Sequence, residues 1–297
     1  MSANAATLFG KKYASNVDLL LQQKGSRLRN AVMVRTDHSG DQSSPVDQVG
    51  SIAATQATTR FGAIGRTDAA LSRRWINPSD WNINQLFDSF DSLKIISDPK
   101  SVYVQNAVLA MGRKMDELIL EAMFGTNNTG TTGSGTVTYL NDGGNVVDNA
   151  FGAAATIGLT VAKMREARRL LMGNDVDMTE ELFIAVNAKA HDSLLAETQV
   201  ISTDYNSKPV LVDGVIDRFL GFKFIHTELL EVTSDPYTKV PCWAKSGVHL
   251  GIWMDVISQV SQRNDLESIP WQAYLKMSMG ATRLEGKKLV QIEADEA

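Results

Sequence analysis

The chain has little of what chemistry needs. It holds one cysteine, Cys242, and four histidines in 297 residues. A single cysteine excludes an intrachain disulfide and fits synthesis in a reducing compartment. His38, His191, His226 and His249 lie far apart, none with a second ligand at metal spacing, and no HExxH, CxxC or EF-hand pattern occurs. No run approaches the roughly 20 apolar residues that a membrane helix needs, and no long apolar stretch near Met1 marks a signal peptide. Charge of neither sign dominates, with 29 Lys and Arg against 34 Asp and Glu. The expectation is a soluble protein made in the cytoplasm, with no membrane partner, no metal and no cofactor.

Isolated letters of catalytic motifs fail on geometry. His191-Asp192-Ser193 contains a triad's residue types, but adjacent helical residues point about 100° apart and cannot relay a proton. Gly125 to Gly144 is glycine-rich, yet it follows a helix and lacks the Gly-Lys-Ser/Thr ending of a phosphate loop. Cys242, between Pro241 and Trp243, reads as a small buried residue, because no histidine sits at a recognisable offset. Asn127-Asn128-Thr129 matches a glycosylation acceptor, which carries no meaning without secretion. No catalytic residue and no enzymatic activity are expected.

What the chain does have is one long, sharply bounded helix. Asp98 is a good N-cap and Pro99 suits the first helical position. Val104, Val108, Met111, Met115, Leu118 and Ala122 then recur at spacings of four and three, with Arg113, Lys114, Asp116 and Glu117 assigned to the far side. Gly125 is expected to close the helix in a left-handed C′ conformation. Such a helix is roughly 40 Å long, a spine on which other layers lie.

Ahead of the spine, residues 1–12 read as a mobile terminus, and Val17, Leu20, Leu21, Leu28 and Val32 as an amphipathic helix broken at Lys24-Gly25-Ser26. Asp37 to Pro45 reads as a polar turn region. From about Gln48 to Pro78 the composition predicts two strands, Thr55–Phe61 and Arg66–Ile76, around a Gly62-Ala63-Ile64-Gly65 turn. Neither face of that ribbon would make a core, and a lone hairpin is marginal in water. The ribbon is therefore either disordered or held by another molecule, and its Trp and Arg content favours docking. Lys11, Lys12, Lys24, Arg27, Arg29 and Arg35 face only Asp18 up to Thr36, whereas Glu293, Asp295 and Glu296 close the chain. This asymmetry marks either nucleic-acid contact or complementary contact between copies, and the overall acidity favours the second.

Beyond the spine the chain reads as α+β. Ile157, Val161, Met164 and Leu171 mark a helix with Lys163, Arg165, Arg168 and Arg169 outward. Leu182–Val186 is a buried strand, and Asn187 caps the next helix. Short strands are expected at Val210–Val212 and Phe222–Ile225, with turns at Asp213-Gly214 and Asp235-Pro236. Strict alternation from Trp271 to Met279, and again from Ile252 to Val260, predicts sheet, followed by a turn at Glu285-Gly286 and a strand from Leu289.

In this order the pieces resemble a tailed-bacteriophage major capsid protein of the Hong Kong 97 type. The resemblance rests on the basic arm Tyr13–Arg35, the polar hairpin ending in Arg73-Arg74-Trp75, and the spine Asp98-Pro99…Tyr103…Gly112-Arg113…Asp116-Glu117…Gly125. The late Trp243-Ala244-Lys245-Ser246-Gly247-Val248 is similar to the family's return segment. It implies an N-terminal arm at 1–47, an extended loop at 48–78, a peripheral domain at 79–125 and 241–297 with spine helix 99–124, and an axial domain at 126–240. Arg60, Arg66, Arg73, Arg74 and Trp75 of the loop would then contact a neighbouring subunit, as would Lys24, Arg27, Arg29 and Arg35 of the arm, with hinges at Gly25, Gly62 and Gly65. Copies would assemble as hexamers and pentamers into an icosahedral virion shell around double-stranded DNA, touched non-specifically on the inner surface. A separate scaffolding protein, a portal and a decoration protein are the further partners implied, with synthesis in a host bacterial cytoplasm. No lysine lies between Lys24 and Lys94, so the loop cannot supply the lysine of the isopeptide crosslink some relatives use. The alternatives are an encapsulin-like compartment and, from another class, a soluble enzyme with a dispersed site.

Overall fold

The computed structural model describes residues 22–40, 44–56, 65–87, 100–197, 216–231, 237–267 and 269–295. The expectations placed on residues 1–12, Arg60, Gly62, Asp98, Pro99, Val210–Val212 and the turns at Asp213 and Asp235 lie outside these residues. In chain order the first strands are β1 (Met33–Arg35), β2 (Ser44–Val49), β3 (Leu71–Ile76) and β4 (Ser79–Phe87). Helix α1 (Lys100–Phe124) leads to β5 (Asn127–Thr129), β6 (Gly135–Val137) and β7 (Asn145–Val147). Then come α2 (Val161–Gly173), β8 (Leu182–Val186), α3 (Ala188–Leu195), β9 (Arg218–Phe219) and β10 (Phe222–His226). The C-terminal part holds β11 (Tyr237–Ala244), β12 (Val248–Gln262), β13 (Trp271–Arg283) and β14 (Leu289–Asp295).

Two compact units emerge. The first comprises the described residues of Met1–Ser26, Asp80–Lys114 and Met254–Ser278; the second takes Arg27–Ser79, Met115–Trp253 and Met279–Ala297. In the first, Lys114 places its ammonium 4.3 Å from the centre of the Trp81 ring, a cation–π contact. Gly112 there meets the arm so closely that a Cβ would lie 2.6 Å from the Gly25 carbonyl carbon. Glycine is required by that approach, and Gly25 itself takes φ +69°.

The second unit is built on a six-stranded sheet in the order β7-β14-β11-β8-β10-β9. β8 pairs parallel with β10 and antiparallel with β11, and all five of its residues are buried. That explains a continuous apolar run without alternation. α2 packs on β14 and β7, with Thr160 accepting a bond from the Lys163 amide as its N-cap. Asn187 caps α3 through the Ala190 amide, as the sequence predicts. Trp243 is fully enclosed, stacked on Phe183, and donates from Nε1 to the Ala31 carbonyl at 2.9 Å. In this unit β1 also pairs parallel with the start of β12, Met33 opposite His249 and Arg35 opposite Gly251. Ala273, Leu275, Met277 and Met279 form the buried face of β13, as their alternation predicts.

Three local expectations are corrected. The buried row of α1 is Ala107, Met111, Met115, Ile119, Ala122 and Met123, while Val108 is 40% exposed. The row is rotated because Asp116, assigned to the far side, is fully buried: its carboxylate accepts the Arg27 and Leu28 amides at 2.9 and 3.1 Å. Gly125 is absent from the left-handed residues. It closes the helix by steric need, since a Cβ would lie 2.5 Å from the Glu121 carbonyl oxygen, to which Gly125 donates at 2.8 Å. Lys163, assigned outward, is fully buried and donates to the Ile157 and Glu293 carbonyls at 2.6 and 2.8 Å.

Candidate functional site: the ribbon, its buried root and the arm

The ribbon is built from β2 and β3, in register from Ser44 opposite Ile76 to Val49 opposite Leu71. Its first strand therefore lies at Ser44–Val49, a stretch read partly as a polar turn. Cross-strand polar pairs set this register in place of an apolar face: Arg73 forks onto Asp47, and Ser72 Oγ donates to Gln48 Oε1 at 3.1 Å. Beyond the Val49–Leu71 rung the backbone of Gly50 donates to Ala70, and residues 51–56 and 65–68 are exposed. Val49, Ile52 and Leu71 expose 72%, 64% and 78% of their surface.

The root of the ribbon belongs to its own chain. β3 continues into a sheet ordered β2-β3-β5-β6, and Trp75 donates from Nε1 to the Gly130 carbonyl at 2.6 Å. Gly133 passes over that indole so closely that a Cβ would sit 3.2 Å from it. Arg74 is 8% exposed; it donates to the Leu284 carbonyl at 3.0 Å and pairs with Asp142. The same carboxylate accepts Arg283 Nε at 3.0 Å and the Gly286 amide at 2.9 Å.

Arg283 is fully buried and donates to the carbonyls of Met123 and Gly125, two orphan acceptors at the end of α1. Its guanidinium carbon also lies 5.3 Å from the centre of the Tyr139 ring. Burial pulls Arg283 below the usual guanidinium range, and its bond to Asp142 opposes that shift. Burial likewise pushes Tyr139 up; its hydroxyl donates toward the Asn145 and Leu289 carbonyls and accepts the Gln291 amide. Two buried cations on one carboxylate thus tie together the ribbon, the end of α1 and β13.

The sequence-predicted residues separate accordingly. Arg74 and Trp75, expected to reach a neighbouring subunit, are engaged within their own chain, because the β3–β5 pairing carries them into the body. Arg73 is held by Asp47 and Arg66 by Asp68, both on the ribbon's own segment. In the arm, Arg27 reaches the ring and carbonyl of His226. Lys24 and Arg35 are exposed, and Arg29 is half-buried. Gly65 is exposed with open space around it and an ordinary φ. Sequence reasoning singles out neither Asp142 nor Arg283, and it turns Asp116 outward. Nothing local marks them: Asp142 sits in a Gly-rich turn and its partners are 68 and 141 positions away.

Among the described residues no group of three or more His, Cys, Asp or Glu is placed to hold a metal, and no helix is long and apolar enough to cross a membrane. His191 accepts the Ile216 amide, while Ser193 donates to the Lys189 carbonyl. Cys242 is fully enclosed, and burial pushes its thiol up.

The architecture is the Hong Kong 97-type capsid fold. A chain of the cyanophage Pam1 capsid asymmetric unit superposes with a TM-score of 0.75 at 12% identity, over 98% of each chain. Mycobacterium phage Che8 gives 0.73 at 13%, over 96% of this chain and 97% of that one. The acid-stable capsid of Helicobacter pylori bacteriophage KHP30 gives 0.73 at 9%, over 99% and 98%. No curated protein sequence matches. The phage capsid protein family model matches residues 5–296, and the chain belongs to that family. It is a major capsid protein, a structural subunit of the virion shell and not an enzyme; neither alternative reading finds support.

Proposed function

We propose that this capsid protein closes an icosahedral shell of hexamers and pentamers around double-stranded DNA by laying its ribbon over a neighbouring copy. The observation that carries the reading is the Val49–Leu71 rung: two large apolar side chains directly opposed, 72% and 78% exposed, with Ile52 beyond them. Burying such a side chain contributes about 1.5–3 kcal/mol, and the rung finds no cover in its own chain among the described residues. Rings of this kind are heterologous interfaces that close by rotation. Arg66 and Arg60 join the contact, and Lys24, Arg29 and Arg35 serve the arm.

The domain reading of arm, extended loop, peripheral domain and axial domain belongs to this proposal. So do a separate scaffolding protein, a portal, a decoration protein and synthesis in the host bacterial cytoplasm. The test is the pair Val49→Glu and Leu71→Glu. Soluble subunits with wild-type circular dichroism and no particles by electron microscopy are expected. Particles forming at wild-type yield from both variants would end the reading.

A further inference from the structure

Between the arm and the ribbon, two histidines that the capsid reading does not use face each other. His38 follows β1, and its Nε2 lies 3.1 Å from Nε2 of His249 on β12. The rings meet edge to face at 5.4 Å, and the His38 ring also stacks on Trp253 at 4.8 Å. His249 is fully buried, and its Nδ1 has no partner among the described residues. Gly251 makes room for the arrangement, since a Cβ there would lie 2.8 Å from His38 Cδ2.

A bond between two imidazole nitrogens needs one proton, not two and not none. With His249 Nε2 donating, its enclosed Nδ1 carries a lone pair rather than an orphan N–H, the less costly assignment. We propose that His38 and His249 form an acid-sensitive latch, which holds the segment joining arm to ribbon against β12 and opens when both rings are protonated. Two imidazoliums present N–H to N–H at 3.1 Å, with like charges and no acceptor. The bond that closes the latch becomes a repulsion.

The surrounding charges support this. Arg35 on β1 and Asp37 beside it act on both rings with opposite signs. Of the other elements packed on β1, the turn Lys245–Gly247 turns Lys245 to Glu181 at 3.9 Å, and Arg29 lies on the turn Arg29–Ala31. On β13, Arg283 is committed to Asp142. Desolvation first, then His38 and Arg35, push His249 down to about 4 from an ordinary 6.5. The closed site therefore binds fewer protons than the open one. The latch is at full strength above pH 6.5, weakens as pH falls, and is lost below about 4. A gap of that size is a factor of roughly 300 in proton affinity, the share of the acid shift that His249 alone can supply, and His38, also pulled down by burial, acts in the same direction.

Hydrogen exchange on the full chain, corrected for the intrinsic pH dependence of the chemistry, tests this. Protection of amides 33–40 is expected to fall at least tenfold between pH 7 and pH 4 in wild type. His249→Gln keeps a donor and cannot be protonated, so it should stay protected at pH 4. Should it fail to fold, the half-buried His38→Gln must show the same pH-independence. Gly251→Ala, which pushes His38 away, should open the segment already at pH 7. Wild-type protection unchanged at pH 4 would overturn the latch. So would a glutamine variant that loses protection with the wild-type midpoint.

Discussion

Asp142 is the residue whose loss should hurt most without touching the apolar core. Its carboxylate is the shared counter-ion of Arg74 and Arg283, whose side chains are 10% and 0% exposed, and it also accepts the Gly286 amide. Asp142→Asn keeps the shape and removes the charge, leaving two buried guanidiniums on a neutral amide. Breaking a buried pair by removing one partner costs about 3–5 kcal/mol. At about 2 °C per kcal/mol for a chain of this size, the melting temperature should fall by roughly 6–10 °C.

The cost should also be conditional. In an Arg74→Met background one of the two stranded cations is already gone, so the further loss on adding Asp142→Asn should be smaller by about 1–3 kcal/mol. Chemical denaturation of unassembled subunits for the wild type, both singles and the double supplies the cycle. A single variant within about 0.5 kcal/mol of wild type, or strictly additive losses, would refute the shared-carboxylate account.

Two further outcomes follow from groups the sequence misplaces. Asp116→Ala strands the Arg27 and Leu28 amides beside α1 and should cost about 3 kcal/mol, with faster hydrogen exchange at those two amides. Burial pushes Lys163 down to about 8 from 10.5, so between these values the unfolded chain holds a proton that the folded one has released. Stability should therefore rise by about 2 kcal/mol from pH 7.5 to pH 10, and Lys163→Met should flatten that rise in denaturant titrations.

How far the fold was readable depends on whether the signal was local. β8, α3, β13 and the described length of α1 are written in periodicity that a short window contains, α3 also in its Asn187 cap, and each stands where it is expected; α2 does too, except that it starts at Val161 and leaves Ile157 outside. The inward turn of Asp116 and Lys163 was not readable, because a charged residue looks the same in a helical pattern whether it faces water or a set of backbone groups. What distinguishes them is the amides of Arg27 and Leu28 in one case, and the carbonyls of Ile157 and Glu293 in the other. The ribbon shows the same limit. Its composition marks a hairpin, but the first strand is expected late, at Thr55–Phe61, since Asp47 and Gln48 carry no strand signal until Arg73 and Ser72 stand opposite them. Arg74 resembled its exposed neighbours for want of any nearby sign of Asp142.

The anchoring of Arg74 and Trp75 decides where the ribbon can swing. With Asp142 gripping β3 on one side and the last turn of α1 on the other through Arg283, the ribbon's base inherits its direction from the spine and cannot pivot there. Were one subunit to fit both five-neighbour and six-neighbour rings, as proposed, the difference would be absorbed farther out, past the Val49–Leu71 rung. Curvature in such a shell would then be set at the ends of its levers, leaving the fulcrum alike in every copy.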